Sequence, residues 1–140
     1  MNALILVIED NCVNRELVTD VMEANGFRVT QAPTAEEGLR LARELLPDLI
    51  LMDISLPGMD GLAATRALKA DPATSRLPVI ALTAHVMRGD EAIALEAGCD
   101  GYLSKPIDTR KLPGTIKGFI NAAVSRTKGE LASNLTPPKT

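Results

Sequence analysis

The chain has 140 residues and a formal net charge of −3. Hydrophobic residues make up 46% of it, enough for one domain with a real core, and with aromatics at 2% and no Trp that core must be aliphatic. The acidic balance argues against a nucleic-acid or anionic-membrane surface, the scarcity of aromatics argues against base stacking, and no apolar run is long enough to span a bilayer.

The first element, Leu4-Ile5-Leu6-Val7-Ile8, is an unbroken apolar run that reads as a strand buried on both faces. Only Met1-Asn2-Ala3 precede it, with no basic leader, so no secretory signal is expected. The run ends on Glu9-Asp10. A helix is predicted from about Cys12 to Ala24, with Val13, Leu17, Val18, Val21 and Met22 on one face and Gly26 as its stop. Arg28–Gln31 reads as a weaker strand. The second helix opens on the capping box Thr34-Ala35-Glu36-Glu37, carries Leu39, Leu41, Ala42 and Leu45, and ends at Pro47. Leu49–Asp53 is a second continuous apolar run closed by an acid. After a turn at Pro57-Gly58, a third helix begins near Gly61, holds Leu62, Ala63, Thr65, Arg66 and Leu68, and stops before Asp71-Pro72.

Val79–Thr83 is the fourth strand, followed by a helix from about Arg88 to Ala97 that ends at Gly98. Gly101–Ser104 is the fifth strand and leads into Lys105-Pro106. A last helix is expected over roughly Pro113 to Ser125, with Pro113 in its first turn and Gly114 and Gly118 weakening its interior. From Lys128 the composition shifts to Gly, Ser, Asn, Thr and Lys with a Pro137-Pro138 pair. Residues 1–125 are therefore expected to form one domain and 126–140 a flexible C-terminal tail. Cys12 and Cys99 lack metal-ligand spacing and read as plain thiols, which together with the missing export signal predicts a cytoplasmic protein.

Five strands alternating with five helices imply right-handed crossovers and an α/β fold: a doubly wound five-stranded parallel sheet, flavodoxin-like (βα)5, with strand order 2-1-3-4-5. Ligands gather outside the C-terminal strand ends of such a sheet, where the winding reverses between strands one and three. Glu9, Asp10 and Asp53 would then crowd together, and three like charges so close call for a cation. Oxygen donors without Cys or His suit Mg²⁺ rather than zinc. Strand ends four and five follow the same plan, each supplying one polar residue, Thr83 and Lys105. An acid at a strand end is often only a helix cap, with Asn11 able to fill that role, but acid, acid, hydroxyl and lysine at four strand ends form a constellation.

Val7-Ile8-Glu9-Asp10-Asn11, Leu51-Met52-Asp53-Ile54-Ser55-Leu56-Pro57-Gly58-Met59-Asp60-Gly61, Leu82-Thr83-Ala84 and Gly101-Tyr102-Leu103-Ser104-Lys105-Pro106 resemble the signature of response-regulator receiver domains of two-component signalling. The resemblance covers roughly Leu4 to Ile120, and Arg88-Gly89-Asp90-Glu91 with Gly98-Cys99 resemble stand-alone receivers of the DivK type and hybrid-kinase receivers. It implies that Asp53 is the phosphoacceptor and that Glu9, Asp10, Asp53 and the backbone carbonyl of Ser55 hold Mg²⁺, with Mn²⁺ as a substitute. It further implies that Thr83, Ala84 and Lys105 bind the phosphoryl group, that Thr83 and Tyr102 form the switch, and that Lys105-Pro106 is a cis-peptide turn. The implied partners are a histidine kinase or histidine phosphotransfer protein and a downstream protein target, reached through helix four, strand five and helix five. No nucleic acid, membrane or small-molecule substrate is implied.

Such a protein is a regulatory phosphoacceptor, not an enzyme. An aspartate-nucleophile phosphatase is the enzymatic alternative, but it usually carries a second acid two residues after the nucleophile, where this chain has Ser55. A binding module that has lost phosphorylation sits poorly with the intact acids, Thr83 and Lys105. A flavin carrier lacks both the phosphate loop and the aromatics. His85, two residues past Thr83, reads as an exposed loop histidine.

Overall fold

An apolar run that offers no polar face to water must be covered on both sides, and the architecture follows from that demand. The computed structural model describes residues 3–54, 61–83, 90–105 and 107–135, with the backbone alone for residues 90, 91 and 124–135. Among these, strands β1 (Leu4–Ile8), β2 (Arg28–Ala32), β3 (Leu49–Asp53), β4 (Val79–Thr83) and β5 (Gly101–Ser104) alternate with helices α1 (Cys12–Ala24), α2 (Ala35–Leu45), α3 (Gly61–Ala70), α4 (Asp90–Ala97) and α5 (Leu112–Leu135). All strand pairs are parallel and the order is β2-β1-β3-β4-β5, as expected. Every residue of the central strands β3 and β4 is buried, whereas the edge strands β2 and β5 have exposed positions.

Side chains alternate between the two faces of the sheet. Leu6, Ile8, Ile50, Met52, Val79 and Ala81 pack against α2, α3 and α4 through Ala35, Ala42, Ala64, Leu68 and Ala94. Ile5, Val7, Leu49, Leu51, Ile80 and Leu82 pack against Val18 and Met22 of α1 and Leu112, Ile116 and Ile120 of α5. Two helices thus cover one face and three the other. Asn11 caps α1 by accepting from the Asn14 backbone N–H at 3.0 Å, and Thr34 caps α2 by accepting from that of Glu37 at 3.2 Å. Gly98, with φ of 107°, ends α4 in the left-handed conformation that glycine adopts freely.

Three expectations need correction. In α1, Val18 and Met22 are buried, but Val13 is 69% and Leu17 43% exposed. The helix starts at the C-terminal edge of the sheet, so its first turns overhang the strands instead of lying on them. Strand β2 runs one residue further than predicted, to Ala32. The last helix continues to Leu135, ten residues past the expected end at Ser125. Its glycines, read as weakening the interior, cost only about 1 kcal/mol each in a helix, and no proline intervenes between Pro113 and Pro137. The expected helical residues Arg88 and Gly89 lie outside the described residues, as do Pro57, Gly58 and His85. No helix among the described residues is long and apolar enough to cross a membrane.

Leu51 lies fully buried in β3. Leu51→Ala is expected to cost about 2–5 kcal/mol, read as a lower urea midpoint with an unchanged denaturant slope.

Candidate functional site

Parallel strands bring all their C-terminal ends to one edge. Ile8 pairs with Met52 across β1 and β3, so the next residues, Glu9 and Asp53, stand side by side at that edge. One carboxylate oxygen from each of Glu9, Asp10 and Asp53 lies within 4.8 Å of the others. Glu9 and Asp53 are buried and Asp10 is exposed. Lys105 follows β5, where its backbone N–H donates to the Thr83 carbonyl at 2.7 Å. Its ammonium reaches back across β4 to Glu9 Oε1 at 2.9 Å and Asp53 Oδ2 at 3.2 Å. The predicted acids and lysine therefore form one cluster.

The charges do not balance. Three carboxylates face one ammonium, which leaves an excess of two negative charges if all are ionised. Burial pushes the Glu9 carboxyl up to about 7, and the neighbouring Asp53 adds to the shift, while Lys105 and Asn14 pull the other way. For Lys105, burial works to lower the ammonium pKa, but Glu9 and Asp53 together outweigh it and hold it above its usual value. Glu9 Oε2 is buried with no hydrogen-bond partner among the described residues. A buried polar atom left bare costs about 1–3 kcal/mol, and more when charged. An all-oxygen donor set with a bare carboxylate oxygen and a surplus of negative charge fits a hard divalent cation, so the cluster could hold one.

Thr83 is buried at the end of β4, one residue beyond Leu82, the register partner of Asp53. Alternation puts Thr83 on the same face as Val79 and Ala81, the face that Tyr102 packs against from β5. Ser55, Ala84 and Pro106 lie outside the described residues.

Three supporting residues escaped the sequence reading. The Arg15 guanidinium donates to the Glu9 carbonyl at 2.8 Å and reaches the Asp10 carbonyl at 3.4 Å, so α1 grips the acidic turn by its backbone. Asn14 Nδ2 donates to Glu9 Oε1 at 3.0 Å. A Cβ on Gly61 would stand 2.3 Å from the Asp53 carbonyl oxygen and 2.5 Å from Ile54 Cα, so only glycine lets α3 start this close to Asp53. The available signals were weak: a polar pair just past a helix cap, and a glycine that read merely as a helix start.

Fold and cluster together define the class, and the chain belongs to the response regulator receiver domain family, whose model matches residues 5–117. It is 43% identical over 123 residues to the polar-differentiation response regulator DivK of Brucella ovis, a match that covers 88% of this chain and all of that one. Among solved structures it resembles the receiver domain of a sensor histidine kinase from Pseudomonas aeruginosa PAO1, at 36% identity and a TM-score of 0.80 over 86% of this chain and 99% of that one. That structure has a magnesium ion coordinated in its active-site cleft. The chemotaxis protein CheY4 of Vibrio cholerae, 24% identical with a TM-score of 0.80 over 85% of this chain and 99% of that one, shares the fold.

The Glu9 shift has a direct consequence for metal-free protein. Unfolded, the group titrates near 4.5; folded, it holds its proton to about 7. Between those values the native state binds more protons than the unfolded one, so this group's contribution to stability falls as pH rises through the window. In chelator, wild type should lose stability relative to Glu9→Gln between about pH 4.5 and 7. Urea melts of both proteins at several pH values check it, and a constant difference would contradict it.

Proposed function

We propose that this receiver is a phosphorylation switch. Asp53 accepts a phosphoryl group from a phosphohistidine on a histidine kinase or histidine phosphotransfer protein, and the modified domain then controls a downstream protein. The observation that carries this reading is the Lys105 ammonium set against both Glu9 and Asp53 inside an acidic cluster. An Asp53 oxygen attacks phosphorus, the P–N bond breaks with its electron pair left on the imidazole, and an acyl phosphate forms on Asp53. Such transfer needs alignment and charge compensation more than covalent help, and Lys105 is placed to follow the transferred oxygens.

Glu9, Asp10 and Asp53 would hold Mg²⁺, or Mn²⁺ in its place, with the backbone carbonyl of Ser55 as a further ligand. Bound there, the ion would neutralise charge on the transferred group. Thr83 would donate its hydroxyl to the phosphoryl group, with Ala84 alongside and Lys105-Pro106 shaping the turn. The readout surface would be α4, β5 and α5, and the sheet face that Thr83 and Tyr102 share, the one α4 covers, supports the α4 and β5 part of it. Residues 1–125 make up the receiver unit, working in the cytoplasm as a single-turnover phosphoacceptor and not as an enzyme. Donor docking has a seat beside the site: Leu17 joins Asn14, Lys105 and Ile107 in lining a groove, and Val13 adds exposed apolar surface on the same helix.

With a phosphohistidine donor and Mg²⁺, wild type should take up one phosphate and Asp53→Ala none, as read by intact-protein mass. Uptake that survives Asp53→Ala would remove the assignment. Leu17→Glu should slow transfer by roughly ten-fold, the weight of one apolar interface contact, while metal affinity stays unchanged.

A further inference from the structure

Glu9 carries its hydrogen bonds unevenly. Asn14 Nδ2 and Lys105 Nζ both donate to Oε1, at 3.0 and 2.9 Å, while the buried Oε2 has no partner among the described residues. A carboxylate free to rotate would share two donors between its two oxygens. Here they converge on one oxygen from opposite ends of the chain, Asn14 from α1 and Lys105 from beyond β5. We propose that Asn14 is a positioning residue, holding Glu9 so that Oε2 alone is presented to a divalent cation; this rests on the metal site proposed above.

Asn14 is suited to that task by its place in the helix. It is the third residue of α1, and its backbone N–H is tied to the capping Asn11 side chain at 3.0 Å. Arg15, next in sequence, holds the Glu9 backbone carbonyl at 2.8 Å. Backbone and side chain of Glu9 are thus both held by the first turn of α1, and little rotamer freedom remains to be lost when a cation arrives. Lys105 cannot do this alone. Its ammonium is shared with Asp53, and any group that enters the pocket and draws the ammonium away leaves Asn14 as the described contact on Oε1. Outer residues that orient a metal ligand typically carry a ten- to hundred-fold effect on affinity.

The test is a Mg²⁺ titration of the full chain by ¹⁵N NMR, a binding readout independent of phosphoryl transfer. Asn14→Leu keeps the branched side-chain shape, favours the helix and cannot donate; Asn14→Ala is the second variant, and the metal-free spectrum of each reports that it is folded. Both should weaken Mg²⁺ binding by roughly ten-fold. In a Glu9→Ala background the same substitutions should change affinity by less than about two-fold, because Asn14 acts only through Glu9. Equal affinity of wild type and the Asn14 variants overturns the proposal. So does an undiminished loss in the Glu9→Ala background, which assigns Asn14 some other role. Absence of Mg²⁺ binding by wild type is a different failure, one that removes the metal site itself.

Discussion

The Lys105 ammonium between Glu9 and Asp53 is the contact on which the site depends. The three residues come from the ends of β5, β1 and β3, far apart in sequence, and only the parallel sheet brings them together. Two like charges within 4.8 Å of each other at an effective dielectric constant near 20 repel by roughly 3 kcal/mol or more. Set against a typical domain stability of about 5–15 kcal/mol, that repulsion is not one a small protein ignores. One ammonium offsets part of it; burial first, and Asp53 beside it, still push the Glu9 carboxyl up, and three carboxylates face that single ammonium. The pocket is therefore electrostatically incomplete, a condition that favours taking up positive charge.

The rest of the fold holds that incomplete pocket rigid. Central strands buried on both faces carry the acids on stiff supports, and Gly61 lets α3 begin against the Asp53 backbone. From the other side α1 grips the Glu9-Asp10 turn through Arg15 and Asn14. Acids held in this way, Asp53 by the close start of α3 and Glu9 by α1, would need little reorganisation when positive charge arrives between them.

The two faces of the sheet also separate two tasks in the proposed switch. Val13 and Leu17 overhang the sheet on the α1 side, where a donor would approach. Thr83 and Tyr102 belong to the opposite face, with α2, α3 and α4. A phosphoryl group on Asp53 would lie between them, so charge arriving from one side would be felt on the other.

Much of this was legible in the residues themselves. Continuous aliphatic runs specify strands buried on both faces, their alternation with helices specifies a parallel sheet, and acids closing the first and third strands mark where the ligand end lies. Those features are local, so they survive translation from sequence to structure. The exposure of Val13 and Leu17, the length of α5 and the close approach of Gly61 depend on what lies opposite each residue in space. Periodicity identifies an apolar stripe but cannot say where the sheet beneath it ends. Nor can spacing reveal that Asn14 and Lys105 meet on the same oxygen of Glu9. The chain alone determined which chemistry was present and at which end of the sheet; the tertiary structure decided which atoms face one another, because hydrogen bonds and charge pairs are set by distances of a few ångströms between remote segments.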